Sequence, residues 1–259
     1  MNPKFELEFE DTFEGSRLDE SRWLPYYLPH WSSRERARAR YEMRDGGLHL
    51  LIDADQSPWC PEFDGQVKVS SLQTGAFAGP LGSSIGQHRF SANAVVREEQ
   101  QNVRLYTPRY GRVELRAKAL DDPRSMVALW MIGYEDEPER AAEICVCEIF
   151  GRDVGRDHAL VGMGLHPFGD PQITDDFSTL RLALDVRKFH VYAAEWTPEG
   201  VVFFVDGEQV KRSDQSPSYP MQLMLSIYEF PGEPEATEYP KRFVVDNVRG
   251  YRWTEPGKI

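Results

Sequence analysis

Residues 142–151 read Ala142-Glu143-Ile144-Cys145-Val146-Cys147-Glu148-Ile149-Phe150-Gly151. Apart from its two glutamates the run is apolar and rich in strand-forming side chains, so it reads as a β-strand. Side chains alternate along a regular strand, which puts Glu143, Cys145 and Cys147 on one face and Glu148 on the other. One extra residue, a β-bulge, brings Glu143, Cys145 and Glu148 to a common face and leaves Ile144 and Ile149 to the core. The two glutamate Cα atoms would then lie about 13 Å apart at ~3.3 Å per residue, and the side chains could lean together across Cys145. Burying an unpaired carboxylate costs several kcal/mol. Two in one strand point to a carboxylate-pair enzyme, or else to a structural pair bonded to arginines such as Arg112 or Arg116.

Outward from this run the patterning has period two. Gly111–Lys118 sets Val113, Leu115 and Ala117 against charged neighbours, as a half-buried strand does. Met126–Ile132 is almost wholly apolar and reads as a central strand. Phe189–Trp196, Val201–Val205, Met221–Tyr228 and Phe243–Trp253 supply further strands. Asp206-Gly207 is a hairpin turn leading into Glu208–Lys211. Many short strands with Gly, Pro and Asp turns predict an all-β antiparallel sandwich. No linker or repeat divides the chain, so residues 1–259 read as one domain. Long loops are expected at 56–65, 76–87 and 228–241, where a sandwich commonly builds a binding site or lid. Residues 33–40 place Arg34, Arg36, Arg38 and Arg40 at period two, on one face of a strand. That stripe is either a solvated face or a basic surface for an acidic or sulfated glycan.

With 259 residues, 41% of them hydrophobic, the chain can bury a large core. A net charge of −12 disfavours nucleic acid and suits a neutral substrate. No apolar stretch has membrane-spanning length. The start, Met1-Asn2-Pro3-Lys4-Phe5-Glu6, carries no apolar leader, so the chain as written is expected in the cytoplasm, secretion being open if residues precede it. Cys60, Cys145 and Cys147 are the three cysteines. Cys145 and Cys147 cannot easily bridge each other from one strand, and Cys-x-Cys lacks a second ligand pair for zinc.

The run at 143–148 resembles the signature of glycoside hydrolase family 16, in which Glu, an apolar residue, Asp, one or two apolar residues and Glu follow one another. This chain matches the longer, bulged form. Other family marks stand in order around it: Asp11–Gly15, Tyr110–Lys118, Ala128–Gly133, Phe189–Trp196 with Phe204–Gly207, and Phe243–Arg249. The resemblance implies a β-jelly-roll, concanavalin A-like sandwich with a glycan cleft on a concave face. It implies Glu143 as nucleophile, Glu148 as acid/base, Trp130 as a stacking platform and His166 as a partner of sugar or carboxylate. Trp31, Trp59 and Tyr228, on expected loops or strand ends, are candidate cleft aromatics, though packing explains them equally well. Asp246 matches a position that helps hold a structural calcium, but Thr12 stands where its acidic partner would be. No cofactor is needed for the chemistry.

The departure from the family pattern is Cys145, where an aspartate is expected. A thiol is a weak donor and mostly neutral. Losing a charge between two glutamates should let both ionise more easily, with weak activity or a lowered pH optimum. The resulting expectation is a monomeric retaining endo-hydrolase of a β-linked poly- or oligosaccharide, β-1,3-glucan first, with neither nucleic acid nor membrane as partner. A glycan-binding module with little or no turnover on the same sandwich is the alternative.

Overall fold

The structure is a computed structural model and describes residues 4–232 and 238–254. In chain order the strands are β1 (Lys4–Asp11), β2 (Arg40–Arg44), β3 (Gly47–Ile52), β4 (Lys68–Gln73), β5 (Gly75–Ala76), β6 (Val103–Arg104), β7 (Gly111–Lys118) and β8 (Ser125–Gly133). They continue as β9 (Glu143–Phe150), β10 (Ala159–His166), β11 (Ser178–Leu182), β12 (His190–Thr197), β13 (Gly200–Val205), β14 (Glu208–Ser213), β15 (Met221–Glu229) and β16 (Lys241–Thr254). One sheet runs β14-β13-β12-β7-β16-β3-β2, with β1 also on β16, and the other runs β11-β10-β9-β8-β15-β4. All pairings are antiparallel, and the all-β sandwich stands. The turn at Asp206-Gly207 takes φ 50° and 83°, the left-handed geometry a two-residue hairpin needs.

The sheets meet through one core. β7 turns Val113, Leu115 and Ala117 into it, and β8 turns Val127, Leu129 and Met131 into it from the opposite side. What the alternation does not announce is a second core on the outer face of the β8 sheet. There Met126, Ala128, Trp130 and Ile132 pack with Met224 and Tyr228 under Tyr27, Leu28, Trp31, Trp59 and Val96. The uninterrupted apolarity of β8 therefore reflects a strand covered on both faces. Its cover comes from the segments before β2, before β4 and between β5 and β7.

That cover corrects three expectations. Trp31 and Trp59 are 0% and 1% exposed and do not reach an open cleft. Trp31 donates Nε1–H to the Gln87 carbonyl at 2.8 Å, and Trp59 donates to Asp64 Oδ2 at 2.6 Å. Both are packing residues, because the irregular segments lie over the sheet and need an apolar underside. The arginine stripe is not one strand face: Arg34 and Arg36 lie in a turn closed by Ala37 N–H to Ser33 O at 2.9 Å, Arg38 makes an isolated bridge with Tyr26, and Arg40 opens β2. Arg36 engages Glu62 at 3.2 Å and Arg40 engages Asp53 at 3.0 Å, so the segment reads as a solvated, ion-paired surface. The loop expected at 76–87 continues to 102 before β6, while 56–65 contains a short helix, α1 (Pro61–Asp64), and part of 228–241 lies outside the described residues.

Asp246 sits where β16 bulges against β7. Its carboxylate is taken by Arg116 at 2.8 Å and by the Asn247 amide at 2.7 Å. Among the described residues no group of three or more His, Cys, Asp or Glu could hold a metal ion. A cation would have to displace a guanidinium here, so these residues do not fit a calcium site.

Gln87 ties the long covering segment to the sheet. Its side chain donates to Gln222 Oε1 at 2.8 Å and Tyr134 O at 3.1 Å and accepts Phe77 N–H at 2.8 Å. Gln87→Ala strands several fully buried polar groups, each costing ~1–3 kcal/mol. We expect it to lower stability by about 2–4 kcal/mol, read as a reduced denaturant midpoint; an unchanged midpoint would show that the segment is held elsewhere.

Candidate active site

The bulge is present. β8 pairs Trp130 with Cys145 and Leu129 with Cys147, while β10 pairs Gly164 with Cys145 and Gly162 with Glu148. Both registers slip by one residue around Val146. Ile144, Val146, Cys147 and Ile149 consequently enter the core between the sheets. Glu143, Cys145 and Glu148 face the other way, into a cavity of about 230 Å³. Of the other sequence candidates, Trp130, His166 and Tyr228 line this cavity and Trp31 and Trp59 do not.

Neighbouring strands shape the rest. β10 offers glycine opposite the site: a Cβ on Gly162 would lie 2.3 Å from Phe177 Cζ. Phe177 uses that space and stacks on His166, with ring centroids 4.7 Å apart. His166 Nδ1 is 3.0 Å from Asp175 Oδ2, which fixes the ring and leaves Nε2 as its remaining nitrogen. Trp130 donates Nε1–H to Ser226 Oγ at 3.3 Å and meets His88 edge-on, centroids 4.9 Å apart. Tyr27 stands edge-on to Tyr228 at 5.6 Å. Tyr27, His88 and Phe168 were not singled out in the sequence. They come from irregular segments, and no period marks which loop residue will face a strand. His88 and Phe168 adopt positive φ, 50° and 43°, which neither residue type announces.

Neither glutamate forms a salt bridge among the described residues; Arg112 is spent on Glu114 and Glu195, at 2.6 and 2.5 Å. The structural ion-pair explanation therefore falls. Elsewhere the chain does pair its buried acid: Glu229, 1% exposed, is met by Arg124 at 3.2 Å and Lys68 at 3.5 Å. Burial first, then the charges of Glu148 and Asp175, pushes Glu143 up to about 8. Burial also raises Glu148, against the opposing pull of His166 and Arg152. The Cys145 thiol is held well above its usual value by burial and by both glutamates, so it is neutral. This corrects the expectation that Cys145 lets the glutamates ionise easily. Removing one charge is outweighed by the burial of the two carboxyls.

The comparisons with known proteins agree with this geometry. The model for glycosyl hydrolases family 16 matches residues 101–247, more than half of the chain. The chain belongs to that family. It is a glycosidase, acting on O-glycosyl bonds. A β-glucanase of Rhodothermus marinus is 28% identical over 98% of this chain and 87% of its own length. The GlcNAcα1-4Gal-releasing endo-β-galactosidase of Clostridium perfringens superposes with a TM-score of 0.83 at 30% identity, over 95% of this chain. The chain spans only 62% of that protein's length. The laminarinase of R. marinus gives a TM-score of 0.67 at 22% identity, covering 98% of this chain and 99% of its own, a likeness of fold.

The raised Glu143 has a thermodynamic signature. The folded glycosidase holds this proton more tightly than the unfolded chain, so its stability is greatest below the ordinary carboxylate value and falls as pH rises toward about 8. Glu143→Gln removes that loss. The variant should gain on wild type between roughly pH 4.5 and 8, by at most about 1.4 kcal/mol per pH unit. Unfolding curves at pH 5 and 8 check this; a constant difference would mean that Glu143 is not held protonated.

Proposed function

We propose that this glycosidase is a retaining endo-hydrolase of a β-linked glycan. The observation that carries the reading is the bulged β9, which turns two glutamates, without a salt bridge to lysine or arginine among the described residues, into one aromatic-walled cavity. Glu143 attacks the anomeric carbon while Glu148 gives its proton to the departing glycosidic oxygen, so the C–O bond breaks as a glycosyl–Glu143 ester forms. Glu148, now a carboxylate, takes a proton from water, whose oxygen displaces Glu143 and restores the starting state. His166, oriented by Asp175, and Trp130 border the reacting sugar. A proton resting on Glu143 opposes the first step. The acid limb of kcat/KM is therefore expected above the ordinary carboxylate range, moving the optimum upward.

The β-glucanase relationship supports a β-glucan as substrate, and a β-1,3-linked chain is the first to test. A second reading, a β-galactoside-containing chain, is supported by the higher identity and TM-score with the C. perfringens endo-β-galactosidase. Laminarin, lichenan, agarose, carrageenan, xyloglucan and glycans bearing GlcNAcα1-4Gal, scored for new reducing ends, separate the two. Fluoroglycosides of glucose and galactose should label Glu143 covalently. Glu143→Gln and Glu148→Gln should each lower turnover of a natural glycan by ~10²–10⁴-fold. Glycan binding with no labelling and no turnover at roughly pH 4–8 would instead make the chain a binding module.

Cys145 supplies a further check. An aspartic acid in so buried a position would stay protonated and donate to the Glu143 carboxylate, lowering its pKa. Cys145→Asp should therefore raise kcat/KM and shift its acid limb downward. An unchanged rate and pH profile would show that residue 145 does not act on the nucleophile.

A further inference from the structure

The face of β15 that carries Met224 and Tyr228 into the second core also carries Ser226, because alternate residues of a strand share a face. By the same rule β4 carries Ser71 beside Val69. Ser226 stands opposite Ser71 on one side and Ala128 of β8 on the other. Both serines are 0% exposed. Among Met126, Ala128, Met224 and Val69 an apolar side chain would serve packing, and a hydroxyl without a partner would be costly.

Both hydroxyls have partners. Ser226 Oγ and Ser71 Oγ lie 2.7 Å apart, Trp130 donates Nε1–H to Ser226 Oγ at 3.3 Å, and Ser71 Oγ reaches the Leu72 carbonyl at 3.4 Å. An indole N–H only donates, whereas a serine hydroxyl donates once and accepts twice. One arrangement satisfies every donor: Trp130 to Ser226, Ser226 to Ser71, and Ser71 to the Leu72 carbonyl. The chain begins at a ring lining the catalytic cavity and ends on the backbone of β4.

The other contacts of Trp130 are less selective. His88 meets the ring edge-on at 4.9 Å, Tyr27 lies tilted at 6.4 Å, and Met224 faces Trp130 across the β8–β15 register. Dispersion contacts have little direction, so an indole turned over about its Cβ–Cγ bond would keep many of them. It would lose the Ser226 oxygen, and a hydrogen bond weakens steeply when misaligned.

We propose that Ser226, backed by Ser71, is a positioning residue for the reaction: it holds the Trp130 indole in the orientation in which that ring borders the reacting sugar. Neither serine lines the cavity, so both act through Trp130. The inference rests on the catalytic cavity being the site of cleavage, and it names what fixes one wall of that cavity.

The test is a double-mutant cycle with Trp130→Phe, using laminarin and a glycan bearing GlcNAcα1-4Gal as substrates. Ser226→Ala should lower kcat/KM about three- to tenfold, the range of one hydrogen bond, and Ser71→Ala about two- to threefold. In the Trp130→Phe background, which has no N–H to hold, either serine change should alter kcat/KM by less than about twofold. A role confined to packing gives the same loss in both backgrounds, and that result would overturn the proposal. Indole N–H resonances of isotope-labelled tryptophan read the orientation without turnover, Trp130→Phe identifying the signal of Trp130. Ser226→Ala should move that signal and speed its hydrogen exchange while the other indoles stay put. An unmoved Trp130 signal would also overturn the proposal. Failure of the hydrolase reading shows separately, as no turnover by wild type of any glycan in the panel, while the indole signal still decides whether Ser226 holds the ring.

Discussion

One extra residue at Val146 is the constraint on which the rest depends. Without it, Glu143 and Glu148 would point to opposite faces of β9, one of them into the core between the sheets. With it, Val146 and Cys147 both fill the core and both carboxyls turn outward. A bulge interrupts ladder hydrogen bonds and bends its strand, so it persists only where the flanks hold it. Here β8 and β10 accept the slip on both sides, and glycine at 162 and 164 lets Phe177 close over the bent strand.

The second consequence is electrostatic. Glu229 shows how this chain settles a buried acid that serves structure: two cations and the Tyr239 hydroxyl surround it. Glu143 and Glu148 receive none of this. Each is raised by burial, and residue 145 between them contributes a neutral thiol. Stability is sacrificed to keep two buried protonatable groups together, the arrangement expected of a functional site.

Much of this was legible in the sequence because strands advertise themselves. β7 lies where the alternation of Val113, Leu115 and Ala117 put it. The bulge was legible because two glutamates, five residues apart, share a face only if the strand between them gains a residue. The tryptophans were not legible in the same way. Trp31 and Trp59 sit in segments without period, and an aromatic on a loop reads alike whether it faces sugar or packs inward. Their burial depends on a second core across the outer face of β8, which only the contacts of distant segments reveal. His88 was hidden for the same reason, and its left-handed backbone removes the last local cue.

That second core also explains how one sheet can be both floor and wall of a site. The outer face of β8 is buried under the loop cover toward Trp31 and Trp59, and it opens only around Trp130 and the β9 glutamates. Gln87 is the joint between these two regions. Its carbonyl accepts from Trp31 on the packed side, its amide ties to Gln222 and Tyr134 at the edge of β15 and β8, and the next residue is His88 at the cavity. A side chain that anchors the cover thereby places a ring against Trp130. The packing of the cover over the sandwich and the shape of the candidate active-site cavity thus share the Gln87 hydrogen bonds. A change in the cover that alters recognition must therefore preserve the Gln87 contacts and act instead on the cavity-lining residues, such as His88, that those contacts hold in place.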